Sequence, residues 1–269
     1  MTYRKTKTAF ICFFIINLCS IGWCGKIVRP WRATSAIVLS GESFDVWFDA
    51  DSGQTVNSVV LQGPYNSVSC SKSVSAGNWE YDKLSHNTYD TKITVTVPVD
   101  APADRYELIL NTSTGQENST GAVKVIRGYK DSYYIMHMSD AHRAQGGYDE
   151  THTLRKVSEI VKIANIIDPE MLFETGDNQY NIRNHPEREV SYYHGLPAEG
   201  ILGMHDAFAA TFMCAGNHCS PNNDYTKDVN VAETADFFNK YYGLHIYNFI
   251  YGNGCFVHRK ANKYISISH

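Results

Sequence analysis

Three short stretches set carboxylates, carboxamides and imidazoles directly after apolar runs. "MHMSDAH" ends on Asp140 and His142, "FETGDN" on Asp177 and Asn178, and "CAGNHC" carries Asn217 and His218. Taken singly, each reads as a turn or loop, because Gly, Asp and Asn tolerate the backbone angles turns need. Taken together they describe a metal site. Asp-x-His puts a carboxylate and an imidazole on one side of an extended backbone, giving two donors for one divalent ion. An aspartate on a neighbouring strand can bridge two ions with its two oxygens. The Asn217 carboxamide offers a neutral oxygen ligand, and His218 beside it is placed to contact substrate.

Such a site needs a scaffold that brings three strand ends together. After "GYKDS" (residues 128–132), which reads as a linker, strands alternate with helices. "YYIMHM" predicts a buried strand. "THTLRKVSEIVKIANII" predicts a helix whose buried stripe is Leu154, Val157, Ile160, Val161, Ala164 and Ile167, ended by Asp168-Pro169. "MLFETGD" and "TFMCAGN" predict two more strands, "GILGMHDAFAA" a helix, and "NVAETADFFNKYYG" a helix with an Asn230 to Glu233 capping pair. Repeated β-α units build a largely buried sheet, and α/β sheets gather ligands at the carboxyl ends of their strands. The polar, aromatic stretch "NIRNHPEREVSYYHGLPAEG" is expected as a loop over the mouth of the site.

Residues 28–127 follow a different pattern. Phe44, Val46 and Phe48, then Ile93, Val95 and Val97, then Tyr106, Leu108 and Leu110 recur with period two between Gly, Ser, Asn and Pro clusters. This predicts antiparallel strands with one buried face, and so many in a hundred residues suggest an immunoglobulin-like β-sandwich. No catalytic cluster falls within it. It reads as a spacer or as an accessory module contacting carbohydrate or the cell surface.

The order Asp-x-His, Gly-Asp, Gly-Asn-His, with 37 residues from Asp140 to Asp177 and 40 from there to Asn217, resembles the calcineurin-like metallophosphoesterase family over residues 132–269. With the period-two region, the expected fold class is an all-β immunoglobulin-like sandwich followed by an incomplete α/β metallophosphoesterase domain, and for that second domain the resemblance implies a β-sandwich flanked by helices. It implies two divalent ions, Mn, Fe or Zn. Asp140 and His142 would hold the first, Asp177 would bridge, and Asn217 would bind the second. His218 would act on the leaving group of a small phosphorylated substrate, and Asn217 and Arg143 would meet its phosphate oxygens, as would Arg183.

Three departures accompany the resemblance. Cys219 stands where the family has an acid after Gly-Asn-His. Tyr180 completes a Gly-Asp-x-x-Tyr like that of the purple acid phosphatase branch, but His142 stands where that branch has Gly. The later His and Gly-His-x-His of the family are not found before residue 269, and His258 and His269 are weak substitutes. The expectation is a front part of a longer protein, turning over poorly as written. The rival expectation is an exported binding or surface protein with a degenerate phosphoesterase domain.

Composition sets the remaining bounds. At 269 residues, 43% hydrophobic and net charge -4, the chain has ample core material and no basic field that would make nucleic acid a structural partner. Arg4, Lys5 and Lys7 before the apolar run Ala9–Trp23 match a secretory signal over residues 1–24. The protein is expected to be secreted or periplasmic, with an amino-terminal membrane anchor as the alternative. Cys70, Cys214, Cys219 and Cys255 follow that segment, and their pairing is open. Asn111 and Asn118 begin glycosylation sequons.

Overall fold

Period-two alternation builds the first region of the chain. The computed structural model describes residues 27–82, 85–143, 150–178, 187–214, 216, 239–240, 243–244, 247–252, 254–259 and 264–268. Eight strands come first: β1 (Ile27–Arg29), β2 (Ala36–Leu39), β3 (Ser43–Phe48), β4 (Val56–Gln62), β5 (Ser67–Asp82), β6 (Asn87–Thr96), β7 (Asp104–Thr112) and β8 (Gln116–Ile126). They form one curled sheet in the order β1-β3-β6-β5-β4-β7-β8-β2. The long β5 makes the curl, pairing first with β4 and then, from Ser71 onward, with β6. Val46, Phe48, Ile93 and Val95 from one half therefore pack with Val59, Leu61, Leu108 and Leu110 from the other in a single cluster. Each such side chain contributes roughly 1.5–3 kcal/mol when fully buried.

The second region is a parallel sheet of β9 (Ile135–Met138), β10 (Met171–Glu174) and β11 (Ala210–Met213), in the order β11-β10-β9. β10 is central and buried at all four positions. β9 differs from expectation: it is an edge strand, with Tyr134 and Ile135 exposed, because nothing among the described residues pairs with its outer side. Helix α1 (Glu150–Ile167) buries Leu154, Val157, Val161 and Ala164. Ile160 is half-buried and Ile167 exposed, since the stripe continues from Ala164 to the position of Asp168, where the helix has ended.

Two further expectations need correction. The stretch expected as a loop contains helix α2 (Glu187–His194), whose Tyr192 and Tyr193 are buried beside α1 residues. "GILGMHDAFAA" is not an α-helix but an irregular segment with one 3-10 turn, Met204–Asp206, because Gly203 and the Ala207 turn-out leave too short a run. A final antiparallel meander comprises β12 (Tyr247–Tyr251), β13 (Gly254–Arg259) and β14 (Tyr264–Ser268).

The parallel sheet sits between two layers. Leu172 and Met213 face α1 and α2. Met171, Phe173, Ala210 and Phe212 face the other way, onto Tyr89 and Ile126 of the curled sheet and Phe249 of the meander. Residues 33–35 run along the free edge of β11, with Met213 N–H donating to the Ala33 carbonyl (3.0 Å) and Ser35 N–H to that of Thr211 (3.4 Å). Buried Arg105 on β7 closes the joint. Its guanidinium donates to the carbonyls of Gly121 (2.8 Å), Met204 (3.1 Å) and Ala207 (2.6 Å), and to the hydroxyls of Tyr193 (3.2 Å) and Thr211 (2.6 Å).

The expected signal segment and the Asn230 to Glu233 helix start lie outside the described residues. Among the described residues no helix is long and apolar enough to cross a membrane.

Candidate metal centre

Because β9, β10 and β11 run parallel and in register, their carboxyl ends open at one edge. The segments leaving β9 and β10 stay bonded beyond the strands. Thr175 N–H donates to the Met138 carbonyl (3.0 Å), Asp140 N–H to that of Gly176 (3.0 Å), His142 N–H to that of Asp177 (2.8 Å) and Arg143 N–H to that of Asn178 (3.1 Å). A ladder of this kind holds both exits stiffly, as a ligand site requires.

The backbone within that ladder is unusual. Asp140 (φ 57°), His142 (φ 43°) and Asp177 (φ 57°) all occupy the left-handed region. Asp and His are among the residues that tolerate it best, yet it costs an L-residue on the order of 1–2 kcal/mol. The side chains of Asp140 and His142 thus converge through left-handed turns, not through the pleat of an extended strand as the spacing suggested.

The result is one imidazole between two carboxylates. His142 Nε2 lies 3.5 Å from an Asp140 oxygen and 3.9 Å from an Asp177 oxygen. One donor atom from each of the three residues lies within 4.8 Å of the others. Two donors each about 2.1 Å from a common ion stand at most about 4.2 Å apart, so the imidazole's distances to both carboxylates suit one divalent ion. Exposure falls from mouth to floor: Asp140 67%, His142 21% and Asp177 11% by side chain.

Neighbours brace the floor. Glu174, almost fully buried, accepts the Gly176 N–H through Oε1 at 3.2 Å and so steadies the turn that carries Asp177. Asn178 is fully buried. A Cβ on Gly216 would land on the Asp177 carboxylate and backbone nitrogen, so only glycine fits where the β11 exit crosses this turn. That contact brings the third motif against the second. Cys214, one residue beyond β11, is half-buried, and burial, with Glu174 and Asp177 nearby, pushes its thiol up to about 12. It stays a protonated thiol, and both it and Cys70 are free.

Arg143 is turned toward α2. It is buried, and its Nη1 donates to the Arg188 carbonyl (2.8 Å) and the Ser191 hydroxyl (2.6 Å) of α2. It ties the Asp140–His142 turn to that helix. His194 and His205 pack ring to ring at 5.0 Å beside Tyr193 and do not join the three-residue cluster. Asn217, His218, Cys219, Tyr180, Arg183, His185 and His269 lie outside the described residues, as does the side chain of His258. Sequence reasoning missed Glu174, Gly216 and Arg105. A glutamate inside an otherwise apolar strand was the available signal for the first, and the Gly of the third motif for the second.

No family model matches the chain, and no curated protein does. Among solved structures, amylomaltase from Corynebacterium glutamicum is similar at 13% identity, covering 55% of this chain and 21% of that one, with TM-score 0.28. The Bacteroides ovatus mixed-linkage glucan utilization locus protein SGBP-B, in complex with a mixed-linkage heptasaccharide, is similar at 16% identity over 40% of this chain and 23% of that one, with TM-score 0.22. This chain thus spans under a quarter of the length of either, and overlaps so slight carry no argument about its fold or activity.

Proposed function

We propose that the chain carries a metal-dependent phosphoester hydrolase centre of the calcineurin-like type, attached to an immunoglobulin-like sandwich and exported from the cytoplasm. The observation that supports the first part is the convergence of Asp140, His142 and Asp177 at the carboxyl ends of two adjacent parallel strands. In this reading Asp140, His142 and Asp177 would hold divalent metal, and Asn217 is the further ligand that the resemblance implies. Divalent metal held there would supply an acidified water and offset charge on the phosphoryl oxygens. His218 donates a proton to, or hydrogen-bonds, the leaving oxygen. Glu174 and Gly216 hold the Asp177 turn, and Arg143 ties the Asp140 turn to α2.

The sandwich reading draws on topology and on one hydrogen bond. The two halves, β1-β3-β6-β5 and β5-β4-β7-β8-β2, share β5, with β2 parallel to β8. Buried Tyr106, near the start of β7, donates its hydroxyl to the Pro102 carbonyl four residues back at 2.8 Å, the corner bond characteristic of such sandwiches. Export follows from the basic start and apolar run of residues 1–24, and recovery of Met1 from a soluble cytoplasmic pool would sink that part.

The deciding experiment couples metal analysis to turnover. The chain is loaded with Mn, Fe or Zn, dialysed, analysed for bound metal and assayed on an aryl phosphate monoester and diester. The expected result is at least one retained equivalent, with metal and any hydrolysis lost together in Asp177→Asn. No retained metal, or equal retention in that variant, would remove the reading and leave the rival, a binding protein with a degenerate centre.

A further inference from the structure

We propose that the cleft where the curled sheet meets the entrance to β10 binds a neutral, polyhydroxylated ligand, a segment of a glycan chain. It lies at the opposite end of β10 from the candidate metal centre, and it does not rest on the phosphoesterase reading. Its volume is ≈530 Å³. That lies in the range of small-molecule sites, which favour junctions between structural units.

The charges lining the cleft decide the ligand class. Asp104, Asp168 and Glu170 face Lys124, Arg127 and Lys130, so the lining is neutral as a whole. Glu170 and Lys130 form a direct ion pair. The side-chain amine of Lys124, half-buried on β8, makes no ion pair or hydrogen bond among the described residues. Burial pushes its amine below the ordinary lysine value, while Asp168, Asp104 and Glu170 at longer range oppose that. An ammonium thus stands among carboxylates that it does not touch, and the gaps ask for a bridging group. A carboxylate only accepts hydrogen bonds, and a phosphate is an anion; either would suit Lys124 and be repelled by Asp104 and Asp168. An alkylammonium only donates and has the opposite difficulty. A hydroxyl does both at once, accepting from Lys124 and donating to a carboxylate. Phe208 adds a ring, 48% exposed at the rim, against which the C–H face of a pyranose packs. The backbone that carries it is held by Asn165, which accepts the Phe208 N–H at 2.8 Å and donates to the Asp206 carbonyl at 2.9 Å.

Calorimetric titration of the full chain with cellopentaose, maltopentaose and chitopentaose, beside inorganic phosphate and glycine, tests this. One of the three oligosaccharides is expected to bind with unit stoichiometry and more tightly than phosphate or glycine. Lys124→Met and the exposed Asp168→Asn should each weaken it at least tenfold with thermal unfolding and metal content unchanged. If Lys124→Met does not fold, Asp168→Asn alone decides. Absence of binding by all three, equal binding in the variants, or tighter binding of phosphate or glycine overturns the proposal. Because metal content is read separately, this result and that for Asp177→Asn stand or fall independently.

Discussion

The curled sheet and the parallel sheet use strands for opposite ends. In the curled sheet the information lies along the strands: alternate residues such as Val46, Phe48, Leu108 and Leu110 face a core that the sheet makes with itself. In the parallel sheet it lies past the strands, where the chain leaves regular geometry. Of the non-glycine residues with positive φ among those described, His86 alone belongs to the curled sheet's region. Asp140, His142, Asp168 and Asp177 belong to the other, and three of these four are the candidate ligands. Strained backbone persists only where its surroundings over-determine it, so its concentration at one sheet edge points to function more strongly than any single motif.

The comparison breaks first at Arg105. If the two regions were separate folding units, removing a side chain between them would leave each intact. Arg105→Met instead removes from a buried joint the donor to three carbonyls and two hydroxyls. A hydrogen bond to a charged group is worth about 1.5–3 kcal/mol, and partners left unsatisfied add desolvation. The expected loss is more than about 3 kcal/mol in urea unfolding, shared by probes in both regions. A loss confined to the segment 204–211 would show the regions to be independent.

Gly216→Ala sharpens it next. A Cβ there collides with Asp177, so metal affinity should fall ten- to a hundredfold, the range for residues that orient ligands. Any loss of stability from the clash should be shared by probes in both regions. Retention of full metal affinity would mean that Asp177 is not held by this contact.

How much of this was legible depends on what kind of rule each feature obeys. Period two is set by the pleat, so Val95, Val97 and Leu110 are readable from spacing and are buried as expected. The α1 stripe is readable for the same reason up to Ala164, and fails at Ile167 because a helix end is set by local backbone geometry. β9 reads as buried because its residues are apolar; edge or centre is decided by what pairs with it, which no local pattern carries. α2 was missed because its Glu, Arg and Tyr mix resembles a loop until α1 supplies a surface for Tyr192. The order of the three motifs was readable, but not Arg143's turn toward Ser191, which depends on where α2 docks.

A pH dependence separates the buried faces from the open edge. His194 packs against His205 and lies near Arg32, and burial, then the Arg32 charge and His205, push its imidazole down to about 3. It is neutral in the folded protein, whereas in the unfolded chain it titrates near 6.5. Between those values the unfolded state binds one more proton, so this group's stabilising contribution is full above about 6.5 and is lost as pH falls toward about 3. Its limiting slope is about 1.4 kcal/mol per pH unit. Urea midpoints should decline from pH 6.5 to 5, before most carboxylates titrate, and His194→Phe should flatten that stretch. An unchanged slope in the variant would place the titrating group elsewhere.

The smallest effect tests the strain directly. At φ 57° an aspartate is tolerated and a glycine is at ease, so Asp140→Gly relieves the backbone while deleting a candidate ligand. The greater freedom of glycine in the unfolded chain takes back part of the gain, leaving up to about 1 kcal/mol of stabilisation, measured with a chelator present. Metal affinity should fall at the same time, the trade expected when strain serves a site. Asp140→Asn separates the two terms: it tolerates the same backbone, so stability should stay level while metal is lost. His86→Gly, at φ 56° in the curled sheet's region, should show a comparable gain with no change in metal. If Asp140→Gly instead destabilises the chelated protein, the Ser139 hydroxyl's bond to the Asp140 carboxylate holds the turn more than the backbone opposes it, and strain at this edge is not stored for the metal.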